Sequence, residues 1–209
     1  MKYISLIIAA LMGVSFFLAA PTFANDIMEG PTGNYTMADV KWEVPISPDR
    51  TDTVTGTVED VTRHLQVLAP EILQAINTSA PGLEAPTSDP VPFGGALVKT
   101  PAPNEVKCEV FNFRADAQAI HSGILYLSKL SGKPSNGPNS CGRVSCSYDS
   151  AIYWCNDNSD TYTLDSWSMV ADGAQAVMNA CGPGVNHNKF NGVSLYDGGW
   201  KVEVYFESC

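Results

Sequence analysis

The sequence predicts an α+β protein in which an antiparallel sheet carries two helices packed on one face, a split βαβ arrangement or α/β sandwich. Three observations lead to this prediction. All six cysteines lie beyond residue 107, and the same half contains two stretches with apolar residues at helical spacing. It also contains two pairs of alternating stretches that flank short turn sequences. Residues 105–209 are therefore predicted to form one disulfide-stabilised domain.

The chain begins with a predicted secretory signal peptide at residues 1–24. Lys2 precedes a long apolar run, and Thr22-Phe23-Ala24 after this run is a small-residue motif for signal-peptidase cleavage. The apolar run is marginal for a membrane span, which needs about 20 residues. We expect cleavage after Ala24 and export to the extracellular space, without stable membrane insertion.

Residues 25–104 are predicted to be an acidic, proline-rich arm or pro-region. Residues 40–44 alternate like a lone strand, and residues 58–77 have the spacing of an amphipathic helix kinked at Pro70. Residues 79–103 have the Pro/Gly-rich composition of a linker. We therefore place the domain boundary near Asn104 and expect the arm to bury little.

Two glycosylation sequons lie in this arm, at Asn34 and Asn77. In a secreted chain they indicate an exposed segment that carries glycans. Neither Lys-Arg nor Arg-Arg occurs in the sequence, which weakens the pro-region interpretation.

The elements of residues 105–209 follow in the order strand, helix, two strands, helix, two strands. A strand is predicted from Val106 to Phe113, and Asp116 is the predicted N-cap of the first helix. Two hairpins are predicted around Asp149-Ser150 and around the turn at residues 197–199. The second helix is predicted between them, over residues 166–181, and ends at Gly182-Pro183.

An even number of cysteines in a secreted half-chain predicts three disulfides, although six cysteines allow 15 connectivities. We assume that the first and last strands are antiparallel neighbours, which predicts Cys108 with Cys209. The end of the second helix then lies near the tip of the first hairpin, which favours Cys146 with Cys181. Cys141 and Cys155 remain at the open end of that hairpin and are predicted to pair.

Composition excludes several classes of function. The net charge of −10 repels phosphate groups and anionic lipid, so we expect no nucleic-acid partner. The absence of a CxxC pair or a histidine cluster argues against zinc. We expect no cofactor.

A small secreted ribonuclease is the enzyme alternative. It needs a base, a histidine acid and an arginine, and the candidates are Glu109, His121, Arg143 and His187. Nothing in their spacing forces them together. The sequence contains no nucleophile elbow, and oxidised cysteines are not nucleophiles.

Two further site hypotheses concern calcium and sugars. Residues 156–160 and Asp165 supply oxygen ligands but lack the glycine and glutamate of an EF-hand loop, so turn capping is favoured. An aromatic sugar platform is the second hypothesis, although core packing under the helices is favoured for several of its members. Its candidates are Tyr148, Tyr153, Trp154, Trp167 and Trp200.

Several motifs resemble those of known proteins. They are Gly123-Ile124-Leu125-Tyr126-Leu127, Gly132-Lys133-Pro134, Cys141-Gly142-Arg143-Val144-Ser145-Cys146-Ser147-Tyr148, Ser150-Ala151-Ile152-Tyr153-Trp154-Cys155-Asn156-Asp157-Asn158 and Ala171-Asp172-Gly173-Ala174. With them, about the last 105 residues resemble small secreted cysteine-rich proteins of filamentous fungi, related to smut killer toxins and necrosis-inducing effectors. The resemblance implies a non-enzymatic α/β sandwich that acts on another organism's cells.

The chain departs from the toxins in one respect. The toxins are thought to act at cation channels through exposed basic side chains, whereas acidic residues outnumber basic ones here. No active residue can be carried over. We therefore expect a monomeric secreted effector or toxin-like protein with an unknown extracellular target. A ribonuclease and a cell-wall glycan-binding module are the alternatives.

Overall fold

The computed structural model describes residues 29–30, 33–47, 49–78, 101–182 and 188–209, and it confirms a mixed α/β chain that is mostly sheet. The predicted signal peptide, residues 79–100 and His187 lie outside the described residues. The helices are α1 Val58–Leu68, α2 Pro70–Thr78, α3 Ala117–Leu127 and α4 Ser168–Cys181. The strands are β1 Glu29–Gly30, β2 Gly33–Asn34, β3 Thr36–Ala38, β4 Lys41–Ser47, β5 Arg50–Thr55, β6 Glu105–Cys108, β7 Ala115–Asp116, β8 Ser135–Asn136, β9 Ser140–Ser147, β10 Ser150–Asn156, β11 Tyr162–Thr163, β12 Lys189–Phe190, β13 Gly192–Tyr196 and β14 Trp200–Phe206.

The main sheet has the strand order β3-β9-β10-β14-β13-β6. Neighbouring strands are antiparallel except for β3, which pairs parallel to β9. The sheet is therefore mixed, whereas the sequence predicts an antiparallel one. The difference arises because β3 comes from the segment that was expected to lie outside the domain.

Helix boundaries follow local chemistry. The Asp116 carboxylate accepts hydrogen bonds from the backbone N–H groups of Gln118 and Ala119, which confirms it as the N-cap of α3. Thr57 and Asp60 form a capping box at the start of α1. The predicted kink at Pro70 is a break between α1 and α2, because the residue before a proline is disfavoured in the helical conformation.

The structure differs from the expectation that residues 25–104 form an arm that buries little. The predicted lone strand is β4, which pairs with β5 in a hairpin and alternates between exposed and buried residues. Trp42 on its buried side stacks on Trp167, with ring centroids 3.8 Å apart. Buried residues of β4 and α1 belong to the same core cluster as those of α3, α4 and the main sheet.

Glu59 attaches helix α1 to the sheet. Its carboxylate accepts a hydrogen bond of 2.6 Å from the Ser145 hydroxyl and one of 3.0 Å from the backbone N–H of Cys146. The apolar face of α1 is buried beside this contact, with Val61 and Leu65 at most 1% exposed. The described part of the N-terminal segment is therefore integrated into the core.

The first hairpin of the C-terminal half turns one residue earlier than predicted. Tyr148 and Asp149 are its central residues, with φ angles of 47° and 52°, and Ser150 already belongs to β10. Two positive φ angles are the mark of a type I′ turn, whose twist matches that of the strands. The second hairpin turns at residues 197–199, as predicted, with Gly198 and Gly199 at positive φ.

Two of the three predicted disulfide pairs are wrong. The structure joins Cys108 to Cys181 and Cys146 to Cys209, while Cys141 is joined to Cys155 as predicted. The reason is strand order, since β14 lies between β10 and β13 and β6 pairs with β13 instead. This places Cys108 opposite Gly192, where an added Cβ would meet the Cys181 sulfur at 2.9 Å.

We expect peptide mapping of the non-reduced protein to find these three bridges. Replacing both Cys108 and Cys181 by serine opens a loop of 73 residues and should lower the free energy of unfolding by about 4 kcal/mol. The matched double variant of Cys141 and Cys155 opens a 14-residue loop and should cost about 3 kcal/mol. A peptide joining Cys108 to Cys209 would contradict the observed strand order.

Replacing Glu59 by alanine should destabilise the protein, because the Ser145 hydroxyl and the Cys146 N–H lose their charged acceptor. We expect a loss of about 1.5 to 3 kcal/mol in the free energy of unfolding from urea denaturation. Glu71→Ala is the matched control, since Glu71 is also in the first turn of a helix but is exposed. Equal effects of the two substitutions would show that Glu59 does not attach α1 to the sheet.

Candidate functional site

Helices α3 and α4 cover one face of the main sheet, and we call the opposite one the helix-free face. Successive side chains of β14 point to opposite faces of the sheet. Trp200, Val202 and Val204 lie on the helix-covered face and belong to the core. The intervening residues Lys201, Glu203 and Tyr205 lie on the helix-free face. Further side chains on or against this face are Tyr35, Met37, Phe111, Cys141, Cys146, Ala151, Tyr153 and Cys155.

An ion pair is buried on this face. The Lys201 ammonium lies 3.2 Å from the Glu203 carboxylate and 3.9 Å from that of Asp157, and Lys201 and Glu203 are 4% and 1% exposed. The ring of Tyr35 covers Lys201 at 4.6 Å, and its hydroxyl donates to Asp157 at 2.7 Å. Burial alone would lower the pKa of Lys201, but Glu203, Tyr35 and Asp157 outweigh burial and raise it. Lys201 is therefore a charged structural partner at neutral pH.

Two stacked tyrosines continue the face toward the C-terminal end of β14. The rings of Tyr153 and Tyr205 are 5.3 Å apart and nearly parallel, and Phe111 packs against Tyr205 at 4.7 Å. Burial raises the pKa of both tyrosines, and the nearby Glu207 carboxylate adds to the shift. Both phenols are therefore neutral at physiological pH and serve as hydrogen-bonding and packing groups, not as nucleophiles.

One end of the main sheet has a surface of exposed aromatic side chains, which we call the aromatic end. Tyr148, Phe113 and Phe206 are 89%, 68% and 41% exposed, and the rings of Phe113 and Phe206 are 5.8 Å apart. The backbone N–H of Glu207 bonds to the Asp149 carbonyl, which holds the Tyr148 turn at the same end of the sheet. A pocket of about 250 Å³ opens here, between residues 110–113 and residues 205–206.

The loop that carries Phe113 is held by a buried asparagine. The Asn191 amide donates to the carbonyls of Phe111 and Phe113 at 2.9 and 3.0 Å, and Asn191 is 0% exposed. An ion pair of 2.7 Å between Arg114 and Glu109 closes the base of the loop. The exposed rings are thus presented on a fixed backbone, which lowers the entropic cost of binding a partner.

Among the described residues, the ribonuclease candidates Glu109, His121 and Arg143 are not assembled into one site. Glu109 is paired with Arg114, and His121 lies on α3, where burial lowers its pKa. Arg143 pairs in register with Tyr153, and its guanidinium donates to the carbonyl of Ser208. His121 and Arg143 therefore belong to opposite faces of the sheet.

The calcium candidates act as turn caps. The amide of Asn156, which is 0% exposed, donates to three backbone carbonyls, and that of Asn158 donates to the carbonyls of the 197–199 turn. Asp165 pairs with Lys133 at 3.0 Å. Within the described ranges, no three His, Cys, Asp or Glu side chains converge on a possible metal position.

The sugar-platform candidates fall into a buried group and one exposed residue. Tyr153, Trp154, Trp167 and Trp200 are at most 3% exposed, whereas Tyr148 projects from the hairpin tip. Sequence reasoning missed the aromatic end because Phe206 has the same period-two phase as the core residues of β14, and because Phe113 was predicted to end a strand. Positive φ at Tyr148 is also invisible in the sequence.

The first sequon lies close to the helix-free face. Asn34 is exposed in β2, directly before Tyr35 that covers Lys201. Asn77 lies in helix α2, and its side chain is outside the described residues. Among the described helices, none is long and apolar enough to cross a membrane.

Comparison with known proteins identifies no relative. No protein-family model matches the chain, and no curated protein or solved structure matches it either. The resemblance to secreted fungal effectors therefore remains a hypothesis that rests on the quoted motifs.

The buried tyrosines predict a loss of stability in alkali. A phenol whose pKa is raised by folding stabilises the protein fully below the unfolded pKa of 10.0 and loses this contribution as pH rises through the folded pKa. The raised pKa of Lys201 acts in the same direction.

We expect the free energy of unfolding to fall steeply between about pH 10 and pH 11, and Tyr205→Phe to flatten that fall by up to ~1.4 kcal/mol per pH unit. Urea denaturation across this range measures the effect. Tyr148→Phe is the control, because Tyr148 is exposed. Parallel pH profiles for the wild type and Tyr205→Phe would contradict the prediction.

Proposed function

We propose that this chain is a secreted, non-enzymatic effector or toxin-like protein that binds an extracellular target on host or competitor cells through its aromatic end. The observation that carries the proposal is the exposure of Phe113, Tyr148 and Phe206 together on a disulfide-bonded scaffold. Exposed aromatic clusters on soluble proteins mark interaction surfaces, and aromatic side chains dominate binding energy there.

Backbone conformation supports the same surface. Tyrosine at positive φ costs energy that glycine or asparagine would avoid, and such strain is concentrated at functional sites. The turn nevertheless places Tyr148 at its tip with 89% of its surface exposed. Because the Tyr148 ring is exposed, packing in the core does not offset this conformational energy. A contact with another molecule is the best explanation for a tyrosine at this position.

Compartment and architecture form part of the proposal. The predicted signal peptide and three disulfides fit an oxidising extracellular environment. The proposal retains the predicted split βαβ arrangement for residues 105–209, with glycans at Asn34 and Asn77. It describes a monomeric fungal virulence protein that acts from outside the cell, without nucleic-acid partners or stable membrane insertion.

The full-length chain is expressed in a secreting host, and the secreted protein is purified from the medium. Its mature N-terminus is expected at Asn25. The purified protein is infiltrated into host tissue and applied to competing microbes. We expect a response to the wild type, and a loss of at least about tenfold in potency for Phe113→Ser with Tyr148→Ser, since interface aromatics are each worth about 1 to 2 kcal/mol.

Val67→Ser is the matched control. Val67 is 75% exposed on α1 and does not belong to the aromatic end, so its replacement should leave potency unchanged. No response to the wild type in either assay would reject the effector proposal. An active double variant would reject the aromatic end as the contact surface.

A cell-wall glycan-binding module is the second candidate, and the exposed rings of Tyr148 and Phe206 at one end of the sheet favour it. Aromatic faces stack on the apolar faces of sugar rings. The test is a pull-down on chitin and β-glucan with the same variants, in which the double variant should be released and Val67→Ser retained. Recovery of the wild type in the unbound fraction with both polymers would remove this candidate.

A further inference from the structure

A second pocket lies where strand β4, helices α1 and α2 and the chain after α3 meet. Its apolar walls come from Trp42, Val44, Val61, Leu65, Ile72 and Leu130. Its volume is about 130 Å³. It is separate from the aromatic end, with which it has no lining residue in common.

The walls are apolar, and half of their residues are fully buried. Trp42, Val61 and Leu65 are at most 2% exposed, and the Trp42 indole N–H donates to the Gly56 carbonyl at 2.8 Å. The indole therefore offers only apolar surface to the pocket. A cavity of about 150 Å³ with aliphatic and aromatic walls accepts a benzene ring. At about 130 Å³ this pocket is slightly smaller than that cavity and close to the size of one aromatic ring.

One cation lies at the edge of these walls. Lys129 lines the pocket and is half-buried, and within the described parts of the chain no carboxylate forms an ion pair with it. Burial lowers the pKa of its ammonium group, which is the expected effect of desolvation without a compensating anion. Glu43 also lines the pocket, but it occupies an outward, exposed position of β4.

We propose that this pocket binds a small monocarboxylate whose apolar part is about the size of one aromatic ring. The ring fills the space between Trp42, Leu65 and Ile72, and the carboxylate pairs with Lys129. Such a ligand covers the apolar walls and supplies an anion to Lys129, which forms an ion pair with no carboxylate among the described residues. Ser131 at the same rim carries a hydroxyl that can donate to the second carboxylate oxygen.

The probe is 3-phenylpropionate, and its neutral matched control is 3-phenylpropionamide. A ligand of this size is expected to bind with a dissociation constant of roughly 0.1 to 1 mM. Titration of the full-length protein, followed by ¹H–¹⁵N chemical shifts, should move the Trp42 indole and Leu130 amide signals. The amide should bind at least about fivefold more weakly, since it cannot pair with the ammonium group.

Two variants distinguish the contribution of the Lys129 charge to binding from that of the apolar walls. Lys129→Met keeps the apolar stem and should weaken the carboxylate by at least about fivefold while leaving the amide unchanged. Lys133→Met is the matched control, because Lys133 is exposed and pairs with Asp165. Ile72→Trp fills the pocket and should abolish binding of both probes, and its thermal unfolding midpoint reports whether it is folded.

Four results would overturn the proposal, and the first three concern the probes. They are unchanged Trp42 and Leu130 signals up to several millimolar probe, equal affinity for carboxylate and amide, and equal loss of affinity in Lys129→Met and Lys133→Met. Concentration-dependent shifts of the pocket signals without any probe would also overturn it, because they would indicate that a second copy of the chain covers the pocket. Since none of these readouts involves the aromatic end, they are independent of the effector assays.

Discussion

The whole structure depends on covering both faces of the two central strands. Every residue of β10 is buried, and β14 is buried except at its last residue. Two short helices of eleven and fourteen residues cover part of the apolar face. The remaining area of that face is covered by α1 and by Trp42, which stacks on Trp167. Burial of this apolar surface is the dominant stabilising contribution.

The helix-free face of the two central strands is also covered, but none of the described helices packs on it. Disulfides, stacked tyrosines and the buried pair of Lys201 and Glu203 replace an apolar layer there. A buried ion pair is costly unless both charges are satisfied, and here Tyr35 and Asp157 complete the arrangement. This face is therefore a well-packed base for the sheet, and hydrogen bonds from Asn191 hold the backbone that carries Phe113 at the aromatic end.

The aromatic end and the pocket at Lys129 differ in shape and therefore suit different partners. The aromatic end is a projecting surface suited to a macromolecular or glycan partner, because its rings point away from the core. The pocket at Lys129 is concave and suited to a small molecule. The N-terminal segment forms most of that pocket through β4, α1 and α2. Its integration into the core thus creates a site that the C-terminal half alone lacks.

The sequence by itself determined the local structure. Helical spacing, the Asp116 N-cap, the glycines at residues 198–199 and period-two alternation placed α3, α4 and both C-terminal hairpins, because these signals act over a few residues. Only the tertiary structure decided which strands are neighbours, and therefore how Cys108, Cys146, Cys181 and Cys209 pair. It also decided that strand β4 and helix α1 join the core and that Lys201 and Glu203 are buried while Phe113 is exposed. Such features depend on contacts between residues far apart in the chain, and local pattern contains no information on them.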